Sequence, residues 1–160
     1  MTAKIKPIVK WAGNKTWLVP RMRELYAPYR HRRWIDPFCG SLALPLALMP
    51  TNAFLSDINC HLIELYQQVK YNDTFSSLEL GNTEKEYYQI RRDFNYLIES
   101  KSSDREILAQ FFYYLNHAGF NGLCRYNRDG KFNVPYGKRS KLSHIKDFKS
   151  YRECFLNWAI

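Results

Sequence analysis

The sequence predicts an α/β fold in two parts: a short parallel sheet, then a helical insertion that carries a β-hairpin. Three observations predict it. Residues 34–57 read as strand, tight glycine turn, short apolar helix and second strand, the unit from which parallel sheets are built. Residues 83–115 hold two helix-start signals separated by a short polar loop, which makes an antiparallel helical pair and not another βαβ unit. Asp129-Gly130 is a preferred two-residue hairpin turn, and the segments on either side of it are basic and aromatic.

Taken in order, residues 4–10 lead into Trp11-Ala12-Gly13-Asn14-Lys15. Gly13-Asn14 signals a turn, and residues 16–26 have the spacing of a helix, apolar at Trp17, Leu18, Met22 and Leu25. Lys15 stands at the start of that helix, where a cation opposes the dipole. It reads either as a surface lysine or as a group reaching for an anion such as the carboxylate of a bound amino acid. Residues 29–33 form a basic linker. Trp34-Ile35-Asp36 is a strand that ends at Pro37, where a ladder donor is lost. Gly40 allows the backbone to approach a ligand without a Cβ in the way. Leu42, Leu44, Leu46, Ala47 and Leu48 make a helix apolar nearly all round, as suits one lying on a sheet. Pro45 fits only if it falls in the first turn. Ala53-Phe54-Leu55 is the second strand, with Asp57 at its carboxyl end.

Ligands of open parallel sheets sit beyond the carboxyl ends of the strands. An acid ending the second strand can accept both ribose hydroxyls of a nucleoside, and Asp36, ending the first, can take a cationic amine. The turn has one glycine where a dinucleotide site wants three, so the ligand expected is a nucleoside without a pyrophosphate. S-adenosylmethionine has the required ribose, adenine and ammonium. Asp36 and Asp57 read equally well as caps of the strand ends.

Beyond Asp57 a helix is expected over residues 61–71, apolar at Leu62, Leu65, Tyr66 and Val69. Residues 74–82 look irregular. Thr83 to Glu86 and Ser103 to Glu106 are capping boxes. The first opens a helix to about residue 99 with Tyr87, Ile90, Phe94 and Leu97 on its apolar face; the second opens one through Leu115. A hairpin is expected over 120–136, with arms 120–127 and 132–136. It bears Arg125, Arg128, Lys131, Lys138 and Arg139 along with Asn121, Asn127 and Asn133. A two-stranded ribbon fits the major groove, where Arg reads guanine and Asn reads adenine. Phe120 or Tyr126 can wedge into a base stack or receive a displaced base. An ordinary basic hairpin with core aromatics is the plainer alternative; three asparagines and two arginines on one short ribbon favour base reading.

A chain of 160 residues can bury one core and a small appendage. Its net charge of +9 is uneven. Residues 1–34 and 121–160 carry +8 and +6, while residues 35–120 carry −5, so the two basic ends point to a polyanion, with double-stranded DNA first. No apolar run is long enough to span a bilayer and no secretory signal opens the chain, so a soluble, cytoplasmic protein is expected. Cys39, Cys60, Cys124 and Cys154 show no metal-binding spacing and read as free thiols, with no metal expected.

Lys10-Trp11-Ala12-Gly13-Asn14-Lys15, Asp36-Pro37-Phe38-Cys39-Gly40 and Asp57-Ile58-Asn59 resemble, in order, the first three cofactor motifs of Dam-type (D12 class) DNA adenine-N6 methyltransferases. Residues 116–127 and 132–139 are similar to that family's target-recognition hairpin. The resemblance implies a partial Rossmann-like methyltransferase sheet with a helical DNA-recognition insert. Residues 1–60 would bind S-adenosylmethionine, 61–145 would form the insert, and 146–160 would return toward the sheet. It also implies cofactor contacts from Trp11, Ala12, Gly13, Lys15, Asp36, Phe38, Gly40 and Asp57. DNA contacts around a GATC target would come from Phe120, Asn121, Leu123, Arg125, Asn127, Pro135 and Arg139. Asn14 stands where many members have a second glycine, and Ser41-Leu42 departs from the commoner small-residue pair.

The family's catalytic Asp-Pro-Pro-Tyr tetrapeptide does not occur in the 160 residues. Two expectations follow. The chain is the cofactor- and DNA-binding portion of such an enzyme, truncated or completed by a second polypeptide or a second copy. Alternatively, it is a catalytically inactive DNA- or S-adenosylmethionine-binding module that occupies sites or regulates a partner.

Overall fold

The structure, a computed structural model, describes residues 5–78, 81–138, 141–142 and 147–160. Three strands form its sheet: β1 (Trp34–Asp36), β2 (Ala53–Leu55) and β3 (Trp158–Ala159), all parallel, in the order β1-β2-β3. Trp34 pairs with Ala53 and Ala53 with Trp158, while Ile35 pairs with Phe54 and Phe54 with Ala159. Side chains alternate across a strand, so the first set shares one face and the second set the other. Ala53 and Trp158 are buried in the core, whereas Ile35 is 65% and Phe54 44% exposed. The sheet therefore has one covered face and one bare face among the described residues.

The helices are α1 (Val19–Tyr26), α2 (Ala43–Leu48), α3 (Cys60–Tyr71), α4 (Glu84–Glu99), α5 (Arg105–Ala118) and α6 (Lys149–Phe155). The single helix expected over residues 16–26 is a 3-10 turn (Thr16–Leu18) running into α1. Pro20, which lacks an N–H, sits in the first turn of α1, where that donor would have no intrahelical partner. Pro45 likewise falls in the first turn of α2. The capping box at Thr83 forms, with Thr83 Oγ1 accepting from Glu86 N–H and the Glu86 carboxylate accepting from Thr83 N–H. The box expected at Ser103 and Glu106 does not form. Asp104 caps α5 by accepting from Ile107 N–H at 3.0 Å, and Ser102 Oγ takes the Asp104 N–H. A carboxylate at that position both bonds the amide and complements the dipole, which a serine one residue earlier cannot match.

α5 is the spine of the core. Leu108, Ala109, Phe112, Tyr113, Tyr114, Leu115 and Ala118 are all buried, against α3 on one side and α4 on the other. Tyr66, Phe94, Phe132, Phe148, Phe155 and Trp158 fill the space between. Each buried aromatic contributes a large apolar area, so much of the stabilisation sits in these rings.

The hairpin differs from expectation. Its arms are joined at two isolated antiparallel bridges, Tyr126 with Phe132 and Gly119 with Tyr136, and residues 120–122 coil into a 3-10 turn. The connection is a three-residue loop, Arg128-Asp129-Gly130, closed by Asn127 N–H to Lys131 O at 2.9 Å. Gly130 takes a positive φ of 76°, as a three-residue loop with a left-handed last position requires. Helix α4 holds the return arm. Asn95 donates to Phe132 O and accepts from Phe132 N–H, while Tyr87 and Arg91 both donate to Val134 O. The four cysteines are free thiols. Among the described residues no His/Cys/Asp/Glu group has metal-site geometry, and no helix is long and apolar enough to cross a membrane.

His61 lies edge-on to Phe94 at 5.1 Å and stacks on Tyr126 at 5.8 Å. Burial, and secondarily the Arg105 charge, lowers its pKa from the ordinary 6.5. The folded protein therefore binds fewer protons at His61 than the unfolded chain, and this contribution to stability is present above pH 6.5 and lost as pH falls below it. The urea midpoint of the wild-type chain is expected to fall between pH 7 and pH 5, and that of His61→Phe to fall less over the same range.

Candidate functional site

A cleft opens beyond the carboxyl end of β1, lined by Trp11, Gly13, Asn14, Lys15, Asp36, Cys39, Gly40, Ser41, Ala43 and Leu44. Its walls come from two separate stretches of chain. The first is the turn at residues 11–15, closed by Asn14 N–H to Trp11 O at 3.2 Å, with Gly13 at φ +71°. The second is the segment from β1 to α2. Lys15 joins the two, its Nζ donating to Phe38 O at 3.4 Å.

Gly40 is clamped from every side. Its N–H donates to Asp57 Oδ2 at 3.0 Å, and its carbonyl accepts from the buried Tyr66 hydroxyl at 2.7 Å. Its φ is +46°, and a Cβ there would lie 3.0 Å from Trp11 Cδ1. Leu42, two residues on, is fully buried with a positive φ of 60°, a conformation that costs a non-glycine residue about 1–2 kcal/mol. The turn is thus held in a strained shape by its surroundings. Gly13, by contrast, has nothing within 4 Å of its missing Cβ.

The carboxylates differ in what they do. Asp36 lines the cleft, and its Oδ1 accepts from Phe38 N–H at 3.1 Å. Asp57 does not line it. Its Oδ2 holds Gly40 N–H and its Oδ1 holds Asn59 N–H, each at 3.0 Å, so it does act as a cap of the strand end. Both carboxylates act on the Cys39 thiol, which is pushed up to about 12 by burial first, then by Asp57 and Asp36, against an opposing effect of Lys15. Cys39 is therefore a neutral thiol at physiological pH and no nucleophile. Phe38 is 73% exposed and Ile58 fully exposed, and both flank this region of chain. Ala12 is exposed and outside the cleft lining.

The residues expected to contact DNA lie on a separate but adjoining stretch. Phe120 is 48% exposed, Asn121 is exposed with φ +52°, Leu123 is half-buried, and Arg125 and Pro135 are exposed. Arg125 is held by Asn133, with Nε donating to Asn133 Oδ1 at 2.8 Å and Nη2 to Asn133 O at 3.2 Å. Asn127 is committed to the loop: its Oδ1 accepts from both Asp129 N–H and Lys131 N–H. That engagement runs against the expectation of a free base-reading amide. Arg139 lies outside the described residues.

Asn116, which sequence reasoning left without a role, brings the two stretches together. Its Oδ1 accepts from Lys10 N–H at 2.9 Å, and its Nδ2 donates to Lys10 O at 2.8 Å and to Gly122 O at 3.2 Å. A Cβ on Gly122 would lie 2.3 Å from Lys10 Cβ. The loop at residues 120–122 thus packs directly on the residue preceding Trp11.

A sequence-family model described as D12 class N6 adenine-specific DNA methyltransferase matches residues 11–160. The chain belongs to that family. It is 40% identical to the Retron Ec67 DNA adenine methylase of Escherichia coli, over 81% of this chain and 46% of that protein. It is 38% identical to the DNA adenine methylase of Haemophilus influenzae, over 84% of this chain and 48% of that protein. To the type II methyltransferase M.MjaIII of Methanocaldococcus jannaschii it is 34% identical, over 98% of this chain and 61% of that protein. The chain spans about half the length of the curated relatives it matches. In this D12-class chain a small three-stranded parallel sheet and its helices position the cleft, in keeping with an α/β methyltransferase fold.

Gly40→Ala is expected to cost about 1–2 kcal/mol from its left-handed backbone and to displace the Trp11 indole as well. Gly13→Ala should show the backbone cost alone. Chemical unfolding of both variants, with indole fluorescence followed in the folded state, checks the difference.

Proposed function

We propose that this chain is the cofactor- and DNA-binding portion of an S-adenosylmethionine-dependent DNA adenine-N6 methyltransferase acting on a GATC-like site. The observation that carries the proposal is the direct packing of a cleft bearing an acid, an ammonium and an indole against a basic, partly exposed loop, with Gly122 seated on Lys10.

The cleft residues suit the cofactor's chemistry. Asp36 has one oxygen spent on Phe38 N–H, and no bond to a described residue engages Oδ2, which fits a ligand ammonium. Lys15 fits the carboxylate of the same amino-acid end. Each oxygen of Asp57 accepts one N–H, and a carboxylate oxygen has a second lone pair, so ribose hydroxyls can be accepted beside those bonds. Phe38 and Ile58 are exposed apolar surfaces for the base. Trp11 and the open face of Gly13 leave room for the methionine side, with Ala12 beside them. When bound, the cofactor supplies an electrophilic methyl group on a sulfonium.

Toward DNA, the chain offers a net charge of +9 and Arg125 already ordered by Asn133, which reduces the entropy lost on binding. Phe120, Asn121, Leu123 and Pro135 stand on the same loop and arm, and Arg139 follows them in sequence. Asn127 contributes by shaping the loop.

The adenine amino group is a poor nucleophile because its lone pair is conjugated into the ring. A carboxylate and a backbone carbonyl must accept its protons while an aromatic ring holds the displaced base. The 160 residues contain no Asp-Pro-Pro-Tyr, so these groups come from polypeptide outside them, in the same chain or as a second polypeptide or copy. The bare sheet face at Ile35 and Phe54 supports such an addition, since parallel sheets are ordinarily covered on both faces. A second reading is a module that binds DNA and cofactor without turnover. Radiolabelled methyl transfer to GATC duplex, with and without the products of neighbouring reading frames, separates the two.

Asp36→Ala should weaken S-adenosylmethionine binding about tenfold or more, the range expected for losing one charge-assisted bond, with DNA affinity little changed. Calorimetry checks this, and no cofactor binding by the wild-type chain overturns the assignment. Arg125→Ala should cost about 1–3 kcal/mol more on GATC duplex than on a single-mismatch duplex. Equal losses on both would reduce Arg125 to a phosphate contact.

A further inference from the structure

The cleft and the recognition loop are joined at two points. Asn116 makes the first, through Lys10 and Gly122. The second is Asn59, whose Nδ2 donates to Cys124 Sγ at 3.1 Å. Asn59 is tied at three atoms. Its N–H is held by Asp57 Oδ1 at 3.0 Å, its Oδ1 accepts from Leu62 N–H at 3.0 Å as the cap of α3, and its Nδ2 bonds the thiol. A continuous path of hydrogen bonds therefore runs from Gly40 N–H through the Asp57 carboxylate and Asn59 to Cys124.

Cys124 sits between Leu123 and Arg125. The neighbouring Tyr126 is fixed in turn: its ring stacks on His61 at 5.8 Å and meets Phe132 edge-on at 5.6 Å. Its hydroxyl oxygen lies 3.9 Å from Cys124 Sγ. The Asn59 bond thus reaches the arm at the residue directly before Arg125. Burial raises the Cys124 thiol above its ordinary range, so the acceptor for Asn59 is a neutral thiol.

We propose that Asn59 is a positioning residue that couples the two sites: by linking Asp57 to Cys124, it makes occupancy of the cleft and the grip of the loop on DNA strengthen each other. The inference rests on the cofactor and DNA assignments made under Proposed function. A ligand drawing on the Asp57 carboxylate fixes the Asn59 backbone and, through the amide, the sulfur. DNA held by residues 123–125 fixes the same atoms from the other end. Coupling between two binding sites is reciprocal, and each ligand raises the other's affinity by one common factor.

Capping α3 alone would not require asparagine, because serine caps as well but is too short to reach Cys124. Asn59→Ser therefore separates the two roles, and Cys124→Ala removes the acceptor from the other side. Cys124→Ser keeps an acceptor and serves as the rescue. S-adenosylhomocysteine, which cannot donate a methyl group, is titrated calorimetrically into the full chain, alone and with saturating GATC duplex. In the wild type the duplex is expected to tighten binding by about 5–150-fold, the usual span of coupling between sites. Asn59→Ser and Cys124→Ala should bring that factor to within about twofold of unity while leaving the affinity without DNA within about twofold of wild type. Cys124→Ser should retain it. The inference is overturned if the wild type binds the two ligands independently, if both uncoupling variants keep the wild-type factor, or if their loss appears equally without DNA. A wild-type chain that binds neither ligand overturns the assignment of the cleft and loop themselves. Thermal unfolding of each variant identifies any loss that is only misfolding, and Cys124→Ser then decides between a bond and a packing effect.

Discussion

The Asp57 carboxylate is the constraint on which the site depends. It stands just past β2, and its two oxygens hold the amides of Gly40 and Asn59. One bond fixes the turn after β1, and the other fixes the start of α3. The two parallel strands are thereby locked together at the end where a ligand would sit. Charge-assisted bonds to backbone amides are stronger than neutral ones, and these two add to the backbone bonds that Ser56 makes with Asp36 O and Cys39 N–H just past Leu55.

The turn gains its shape from that anchor. Gly40 and Leu42 both take positive φ, and neither conformation is favoured by the local sequence except through the glycine. Tyr66 from α3, Trp11 from the first loop and Asp57 from the end of β2 jointly impose it. Strain of this kind persists only where several partners over-determine the backbone. The cleft is consequently rigid on its sheet side and open on the side of Gly13.

The helical part serves a similar purpose for the hairpin. With only two isolated bridges, the hairpin is too weakly laddered to stand alone. Side chains of α4 take the place of a partner strand: Asn95 exchanges two bonds with Phe132, and Tyr87 and Arg91 share Val134 O. Asn116 on α5 does the same for residue 10. Amide side chains that mimic backbone pairing let a helix hold an irregular segment without leaving its polar groups unsatisfied.

The order of strands and helices, the position of the glycine turn and the first capping box were legible in the sequence because each depends on local spacing. Periodicity marked α3 and α4, a helix-start signal at residues 103–106 marked α5, and a lone glycine between an aspartate and an apolar run marked the turn. Other features were decided by tertiary contacts. The hairpin loop gained a residue because Asn127 could bond two amides across it. The cap of α5 moved to Asp104 because Ser102 was free to support it. Asn116 carries no local pattern and Asn59 only that of a cap for α3, since the partners that bridge the two parts lie 106 and 65 residues away in the chain. The sequence by itself determined β1, β2 and the helices through α5, and where charge accumulates, whereas α6 and β3 were not anticipated. Only the folded chain decided which polar side chains bridge the two parts, because a hydrogen bond between distant residues leaves no periodic trace in either.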